Sequence, residues 1–357
     1  MTSAETITEA ALEDRLISSA TAALEVYSIH LGRRLGLYRA LAEEPRTAGQ
    51  LAEAAGIHPR YAREWLEQQA VAGFLSVDNQ DADAEERVYR LDSPSAAVFT
   101  AEEDVRHVSP LADIVAGIGM TLDKVAAAYR DGSGVSFGDY GPHLMAGQGA
   151  INRPAFMQDL VGSWIGAVDG LLDRLRDGGR IADLGCGVGW GAIAMALQIP
   201  GATVIGWDAD SGSIEAARRN AETAGANVRF ELANASALEK EGPFELVTIL
   251  EALHDMSNPV QVLRAAGSVL AEGGLVLVAD EKVADRFTAP GDELERMMYG
   301  WSITHCLPAA MADQPSAGLG TVLRAPMVQE LGEAAGFRSV ETLDVDAGFF
   351  QLHILRK

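Results

Sequence analysis

Apolar residues in the first part of the chain recur at helical spacing. Over 8–44 they fall at Leu24, Leu31, Leu35 and Leu41, the pattern of an amphipathic helix. Thr47 then caps a short helix over 48–55 that Gly56 ends, and His58-Pro59 opens another that runs to Ala72 and stops at Gly73. Two short polar-faced strands, 74–77 and 88–91, flank an acidic loop. Helix, turn, helix and β-ribbon in that order predict a winged helix. Residues 93–130 read as helical again, and the glycine-rich stretch 131–149 as an irregular connector.

From about residue 152 helical and strand patterns alternate. Helices over 154–175, 190–199, 211–224 and 258–270 interleave with strands over 180–184, 203–208, 228–232, 245–250 and 274–280. Strands near 337–344 and 348–355 finish the series. That alternation predicts a parallel α/β sheet, doubly wound and Rossmann-like. Ligands of such sheets bind beyond the carboxyl ends of the strands.

Residues 181–189 read Ile-Ala-Asp-Leu-Gly-Cys-Gly-Val-Gly, an apolar strand that ends in an acid and meets alternate glycines. Glycines at 185, 187 and 189 let the backbone turn sharply and approach a ligand where a Cβ would intrude. The helix that follows offers free N–H groups at its start. Asp208, at the tip of the next strand, is placed to accept hydrogen bonds from a ribose diol. Two cofactors fit the loop. Gly187, Gly189 and Ala192 satisfy the dinucleotide fingerprint, which would make the chain a nicotinamide oxidoreductase. Gly185, Gly187 and Gly189 satisfy the G-x-G-x-G loop of S-adenosylmethionine (SAM) enzymes. Asp183 favours SAM, because a carboxylate attracts a ligand's ammonium and repels a pyrophosphate.

The strand 245–250 runs into Glu251-Ala252-Leu253-His254-Asp255. A histidine just past a strand tip overlooks the cofactor crevice, and its ordinary pKa near 6.5 suits proton abstraction. Asp280 or Glu281, at the end of the next strand, is placed to orient it better than the adjacent Asp255, since neighbouring side chains diverge.

With 357 residues, 48% of them apolar and 22% charged, the chain is long enough for two domains of a soluble globular protein. A net charge of −23 argues against nucleic acid and anionic membranes as partners. The first hundred residues carry nine Arg, no Lys and sixteen Asp or Glu, a surface that repels phosphate, so the winged helix reads as a packing or dimerisation module. Cys186 and Cys306 make no disulfide framework, the N-terminus lacks a signal-peptide pattern, and no apolar run approaches the roughly 20 residues of a membrane span. A cytoplasmic protein is expected.

The glycine loop, Asp208 and Asn234-Ala235 together resemble class I SAM-dependent methyltransferases. More closely, His254-Asp255-Met256-Ser257 resembles the His-Asp-Trp-Ser segment of the plant-type small-molecule O-methyltransferases, and residues 152–157 are similar to their Phe-Asn-x-x-Met helix entry. That family also begins with a winged-helix-like dimerisation domain, and the chain resembles a bacterial two-domain group with this architecture. The resemblance implies a class I methyltransferase sheet over 152–357, a winged-helix and dimerisation domain over 1–130, a Gly-rich connector over 131–151, and a homodimer. It implies that Gly185, Gly187 and Gly189 line SAM, that Asp208 holds its ribose, and that Asn234 and Ala235 sit by its adenine. His254 matches the family's base and Asp280 the acid that orients it. Leu250, counted with the cofactor-lining positions, replaces a Lys, Met256 replaces the Trp, and a second orienting acid expected near 320–324 is absent.

Methyl transfer is an in-line displacement from an activated sulfonium, so the protein's task is to align nucleophile and methyl. A small-molecule acceptor is expected, walled by the insert 283–325 over the active site. Met298, Trp301 and His305 of a helix over 294–305 are the candidate walls, with Tyr140, Phe156 and Met157 closing from the connector side. His143, His305, Asp280 and Cys306 show no metal-ligand spacing, and no metal is expected. The rival from another class is a winged-helix regulator that senses SAM or another ligand and performs no chemistry.

Overall fold

The computed structural model describes residues 8–234, 237–238 and 241–357. The chain divides into two compact units, Met1–Ala116 and Gly117–Lys357.

In the first unit α1 (Glu9–Arg34) starts at Thr8, whose hydroxyl accepts the Ala11 N–H at 3.2 Å. The single helix expected over 8–44 breaks at Gly36, which takes φ 71°, and α2 (Leu37–Glu43) restarts beyond it. A capping box of Thr47 and Gln50 opens α3 (Ala48–Ala55), and Pro59 in the first turn opens α4 (Pro59–Val71). The ribbon is short: β1 (Ser76–Val77) pairs antiparallel with β2 (Tyr89–Arg90), ahead of α5 (Ser93–Phe99). Its core is built from Leu37, Leu51, Leu66 and an aromatic group in which Tyr38 stacks on Phe99 at 4.3 Å and meets Trp65 edge-on at 5.1 Å. Leu111–Asp131 forms α6, and the division between the units falls within it.

The second unit holds the residues of the expected site. The stretch read as an irregular connector is mostly helix. A 3-10 turn (Phe137–Tyr140) leads directly into α7 (Gly141–Gln158), which has Pro142 in its first turn, where no N–H is missed. Its glycines mark close packing, since a methyl added at Gly149 would overlap the γ-methyl of Val188. The helix expected over 154–175 is also interrupted, by a π-turn (Leu160–Trp164) and a 3-10 turn (Ile165–Ala167), before α8 (Leu171–Arg176).

Then follow β3 (Arg180–Leu184), α9 (Trp190–Gln198), β4 (Thr203–Asp208), α10 (Ser211–Ala224), β5 (Val228–Leu232), β6 (Phe244–Leu250), α11 (Pro259–Ser268) and β7 (Leu270–Glu281). The insert carries α12 (Glu293–Trp301), a π-turn (Ser302–Cys306) and α13 (Leu307–Ala310), and α14 (Ala325–Ala335), β8 (Ser339–Thr342) and β9 (Phe350–Arg356) close the unit. The seven strands lie in the order β5-β4-β3-β6-β7-β9-β8. All run parallel except β9, which enters antiparallel between β7 and β8.

Both faces of the sheet are buried, so its central strands are mostly apolar on both faces, with the bonded Asp183 and Thr248 as the buried polar pair. Ile181, Leu246, Leu275 and Leu277 point to one core with Trp164 and Ile193. Ala182, Leu184, Val247, Ile249, Val276 and Val278 point to the other with Leu263 and Val328. From β3 the chain moves outward through β4 to β5 and then crosses back to β6 on the other side of β3, so the switch point lies between β3 and β6, beside the glycine loop.

Candidate functional site

A cavity of about 680 Å³ opens beyond the carboxyl ends of β3, β4 and β6. Its floor is the loop 185–189. Gly185 and Gly187 take φ 68° and 52°, the left-handed backbone that glycine adopts without strain. The Gly185 and Cys186 N–H groups both donate to the Trp207 carbonyl, at 2.8 and 3.0 Å, which ties the loop to β4. Asp208 completes the tie by accepting the Gly187 N–H at 2.8 Å and the Asp210 N–H at 2.8 Å. Burial raises the Asp208 pKa, and these backbone amides work against the rise. Gly185, Gly187, Gly189, Asp208, Asn234 and Leu250 all line the cavity. Ala235 falls outside the described residues.

Asp183 stands elsewhere than its charge suggested. It is 2% exposed and lies behind the loop, where its Oδ1 accepts the Thr248 hydroxyl at 2.7 Å. Burial pushes its carboxyl up to about 7, against hydrogen bonds from Thr248 and the Ala192 backbone. Its place is to pin the start of α9 to β6.

The acid that does face the cavity is Glu251, at the first position past β6. Glu251 has φ 52°, the only left-handed non-glycine among the described residues. Its carboxylate accepts the Asn152 amide from α7, with Gln148 beside it. Burial pushes its pKa up to about 7, although the His254 charge and these amides favour ionisation. Sequence reasoning passed over Glu251. The signal was present, because an acid directly after an apolar strand is the feature that picked out Asp208.

His254 sits in a 3-10 turn (Leu253–Asp255) and is 1% exposed. Its Nδ1 lies 2.5 Å from Asp280 Oδ1 and 3.3 Å from Glu281 Oε2, while Nε2 lies 3.3 Å from Asp255 Oδ1. Burial works against the imidazolium, yet Asp280, Glu281 and Asp255 raise the pKa well above the ordinary histidine value. Burial would likewise raise Asp280, but the His254 charge and hydrogen bond leave it lowered, so the proton between them belongs to Nδ1. Burial raises Glu281 well above its usual range, which makes it the protonated member of the set. Where the resemblance expected a second acid, the Gly320 N–H instead donates to the His254 carbonyl at 3.2 Å. Cys306 approaches the same imidazole, and burial pushes its thiol up to about 12, so it keeps its proton. Donor atoms of His254, Asp280 and Glu281, and of His254, Asp255 and Cys306, lie within 4.8 Å of one another.

Asp255 lines the cavity, whereas His254, Asp280 and Glu281 lie behind it. Of the expected acceptor walls, Phe156 lines the cavity and Tyr140, Met157, Met298, Trp301 and His305 do not. Tyr140 is buried, donates to the Thr304 carbonyl at 3.0 Å and meets the His305 ring edge-on at 4.5 Å. Met298 is buried, and Met157 packs against the core. The insert instead contributes Ala309 and residues 312–315, and the start of α7 contributes Met145, Gln148 and Asn152. Five lining residues carry carboxylates (Asp208, Asp210, Glu251, Asp255 and Asp313), and none of the described lining residues is lysine, arginine or histidine.

Residues 175–317 match the family described as "Methyltransferase domain", and residues 21–101 match the "Rv2258c-like winged HTH domain". The ubiquinone biosynthesis O-methyltransferase of Dinoroseobacter shibae is 38% identical over 99 residues, 28% of this chain and 39% of that protein. The chain spans about two fifths to half the length of the curated relatives it matches. Two solved structures share the fold over nearly their whole length. One is human N-acetylserotonin methyltransferase in complex with SAM, at TM-score 0.68 and 16% identity, covering 99% of each chain. The other is the mitomycin 7-O-methyltransferase MmcR, at TM-score 0.68 and 19% identity, covering 98% of each. The chain therefore carries a methyltransferase domain behind a winged helix-turn-helix domain.

Proposed function

From a chain that joins these two domains, we propose a SAM-dependent methyltransferase that methylates an oxygen of a small-molecule acceptor. The observation that carries this reading is the cavity itself. It gathers the glycine loop, the Asp208 carboxylate and Asn234 at the switch point of a methyltransferase sheet, with a wholly acidic set of charged side chains. Such a lining suits a donor with a sulfonium and an ammonium, and disfavours the pyrophosphate of a dinucleotide.

SAM, when bound, supplies the activated methyl. Asp208 would accept hydrogen bonds from its ribose, and Asn234 would lie by its base. Residues of α7 and 312–315 would hold the acceptor in line with the methyl, the positioning on which this reaction chiefly depends. His254 fits one of two duties. A neutral imidazole would take the acceptor's proton as a general base. The acids around it, the ionised Asp280 first, favour the imidazolium, which would steady the acceptor oxygen as its proton leaves.

A homodimer is part of the proposal, supported by the exposed apolar side chains of α1. No helix of the described residues is long and apolar enough to cross a membrane. Free Cys186 and Cys306 suit a reducing cytoplasm.

Titration calorimetry with SAM and S-adenosylhomocysteine (SAH) tests the donor, with micromolar binding of both expected and no binding of NAD. A screen of small phenols and alcohols with methyl-labelled SAM then tests transfer. Binding of neither nucleoside would remove the reading.

A further inference from the structure

We propose that Glu251 is the counter-ion of the donor's sulfonium, and that it receives the acceptor's proton when methyl transfer removes that positive charge. This rests on the SAM reading above.

The position comes from the packing around β6. Leu250 touches the start of α9, where a Cβ on Gly191 would stand 2.7 Å from Leu250 Cδ1. Ala252 touches the glycine loop, where a Cβ on Gly185 would stand 2.7 Å from Ala252 Cβ. Glu251 lies between these contacts and faces the cavity under Asn152 and Gln148 of α7. Asp208 marks the ribose side of the cavity through its bond to Gly187. A nucleoside laid from Asp208 across the first glycine then brings its sulfur end to Glu251. Of the other acids near this end, Asp183 is turned away and occupied by Thr248, and Asp255 has its Oδ1 3.3 Å from His254 Nε2. Glu251 is half-buried and meets no Lys, Arg or His among the described residues lining the cavity, so a cationic ligand would add the positive charge that the lining lacks. A non-glycine residue held at φ 52° is itself a strain, of the kind that persists at functional sites.

Charge and atoms balance across the step. Before transfer the sulfonium faces the Glu251 carboxylate. During transfer the S–CH₃ bond breaks and its electron pair stays on sulfur, the O–CH₃ bond forms, and the acceptor O–H proton passes to Glu251. The products are neutral SAH, the methyl ether and a protonated Glu251. His254 does not compete for this proton, because its neighbours already keep it charged.

The consequence is a pH-dependent preference for donor over spent cofactor. The groups facing Glu251 are the Asn152 and Gln148 amides, the His254 imidazole, and the Asp280 and Glu281 carboxyls of β7. With its carboxyl titrating at about 7, its ionised fraction rises about eightfold from pH 6.0 to pH 7.5. SAM should favour the ionised form, and SAH should be indifferent to it. The ratio of their affinities cancels groups that meet the shared nucleoside, such as Asp208.

The experiment is calorimetry of the full chain with SAM and with SAH at pH 6.0 and 7.5, for the wild type, Glu251→Gln and Glu251→Asp. In the wild type the preference for SAM should grow about eightfold over that interval. Glu251→Gln should abolish the pH dependence and weaken SAM about tenfold relative to SAH, while Glu251→Asp keeps part of both effects. An affinity ratio that ignores pH in the wild type, or survives Glu251→Gln unchanged, overturns the proposal. Should Glu251→Gln fail to fold, the wild-type ratio alone decides. If the wild type binds neither compound, it is the SAM reading that fails.

Discussion

Burial and the carboxyl groups of Asp280, Glu281 and Asp255 act on the His254 imidazole in opposite senses, and the carboxyl groups prevail, the ionised Asp280 first among them. The sign matters for stability. A base whose pKa is raised on folding stabilises fully below its unfolded value, and loses that contribution as pH rises through the raised value. Asp280, whose pKa is lowered, stabilises above its unfolded value and loses the contribution as pH falls through the lowered one. The pair therefore helps the fold most between about pH 4 and about pH 6.5, the ordinary values of the two groups, and the His254 contribution declines above that. In Asp280→Asn the imidazole loses its 2.5 Å partner and its proton. The His254 ring resonances, which should not titrate between pH 6 and 8 in the wild type, should then do so. Stability at pH 7 should fall by about 3 kcal/mol, as when one partner of a buried pair is removed. NMR titration and urea unfolding measure the two effects, and a wild-type His254 that titrates near its ordinary value would contradict the charge assignment. This pairing was legible in the sequence, because acids at the tips of adjacent parallel strands must lie near one another. Glu251 carried the same signal as Asp208, an acid directly after an apolar strand, but nothing in a linear string shows that α7 folds back over the end of β6 to give it partners.

Strands and helices that alternate through a parallel sheet announce themselves, because each buried strand is a short apolar run closed by turn residues. The elements from β3 to β7 fall close to their expected places for that reason. The stretch 131–149 does not, because glycine has two uses that a sequence does not distinguish. In α7 Gly149 removes a side chain so that the helix can lie against Val188 of the cofactor loop. Met298 and His305, expected as acceptor walls, are buried and do not line the cavity for a related reason: an apolar stripe on a helix serves a core as readily as a ligand. Gly149→Val tests the packing role of α7. The added side chain meets a stiff β-branched neighbour, so the helix must shift away from the loop. Stability should fall by about 1–3 kcal/mol. SAM affinity should fall at least tenfold, because Gln148 and Asn152 move with the helix. A variant that keeps both values would show that α7 is not clamped on the loop.

α1 presents Leu12, Leu16, Ile17, Leu24, Tyr27 and Leu31 to solvent, and Leu35 caps it, each at least 41% exposed. Single exposed leucines need no explanation, but a stripe repeated over a 26-residue helix is more than a folded unit leaves uncovered without reason. Its spacing read from the sequence as that of an amphipathic helix, and only His30 and Gly32 of α1 are buried in the chain by itself. A second copy of the chain is the occupant we expect, with the stripe meeting its own symmetry mate. Burying a leucine contributes roughly 1.5–3 kcal/mol, so two central charges should suffice to separate such a pair. Leu16→Glu with Leu24→Glu should sediment as a monomer where the wild type sediments as a dimer. Every residue lining the cavity lies between 136 and 315, in the second unit. SAM binding should therefore survive in the monomer within about threefold. A wild type that is monomeric at micromolar concentration would leave the stripe to some other surface. A double variant that stays dimeric would move the interface elsewhere on the chain.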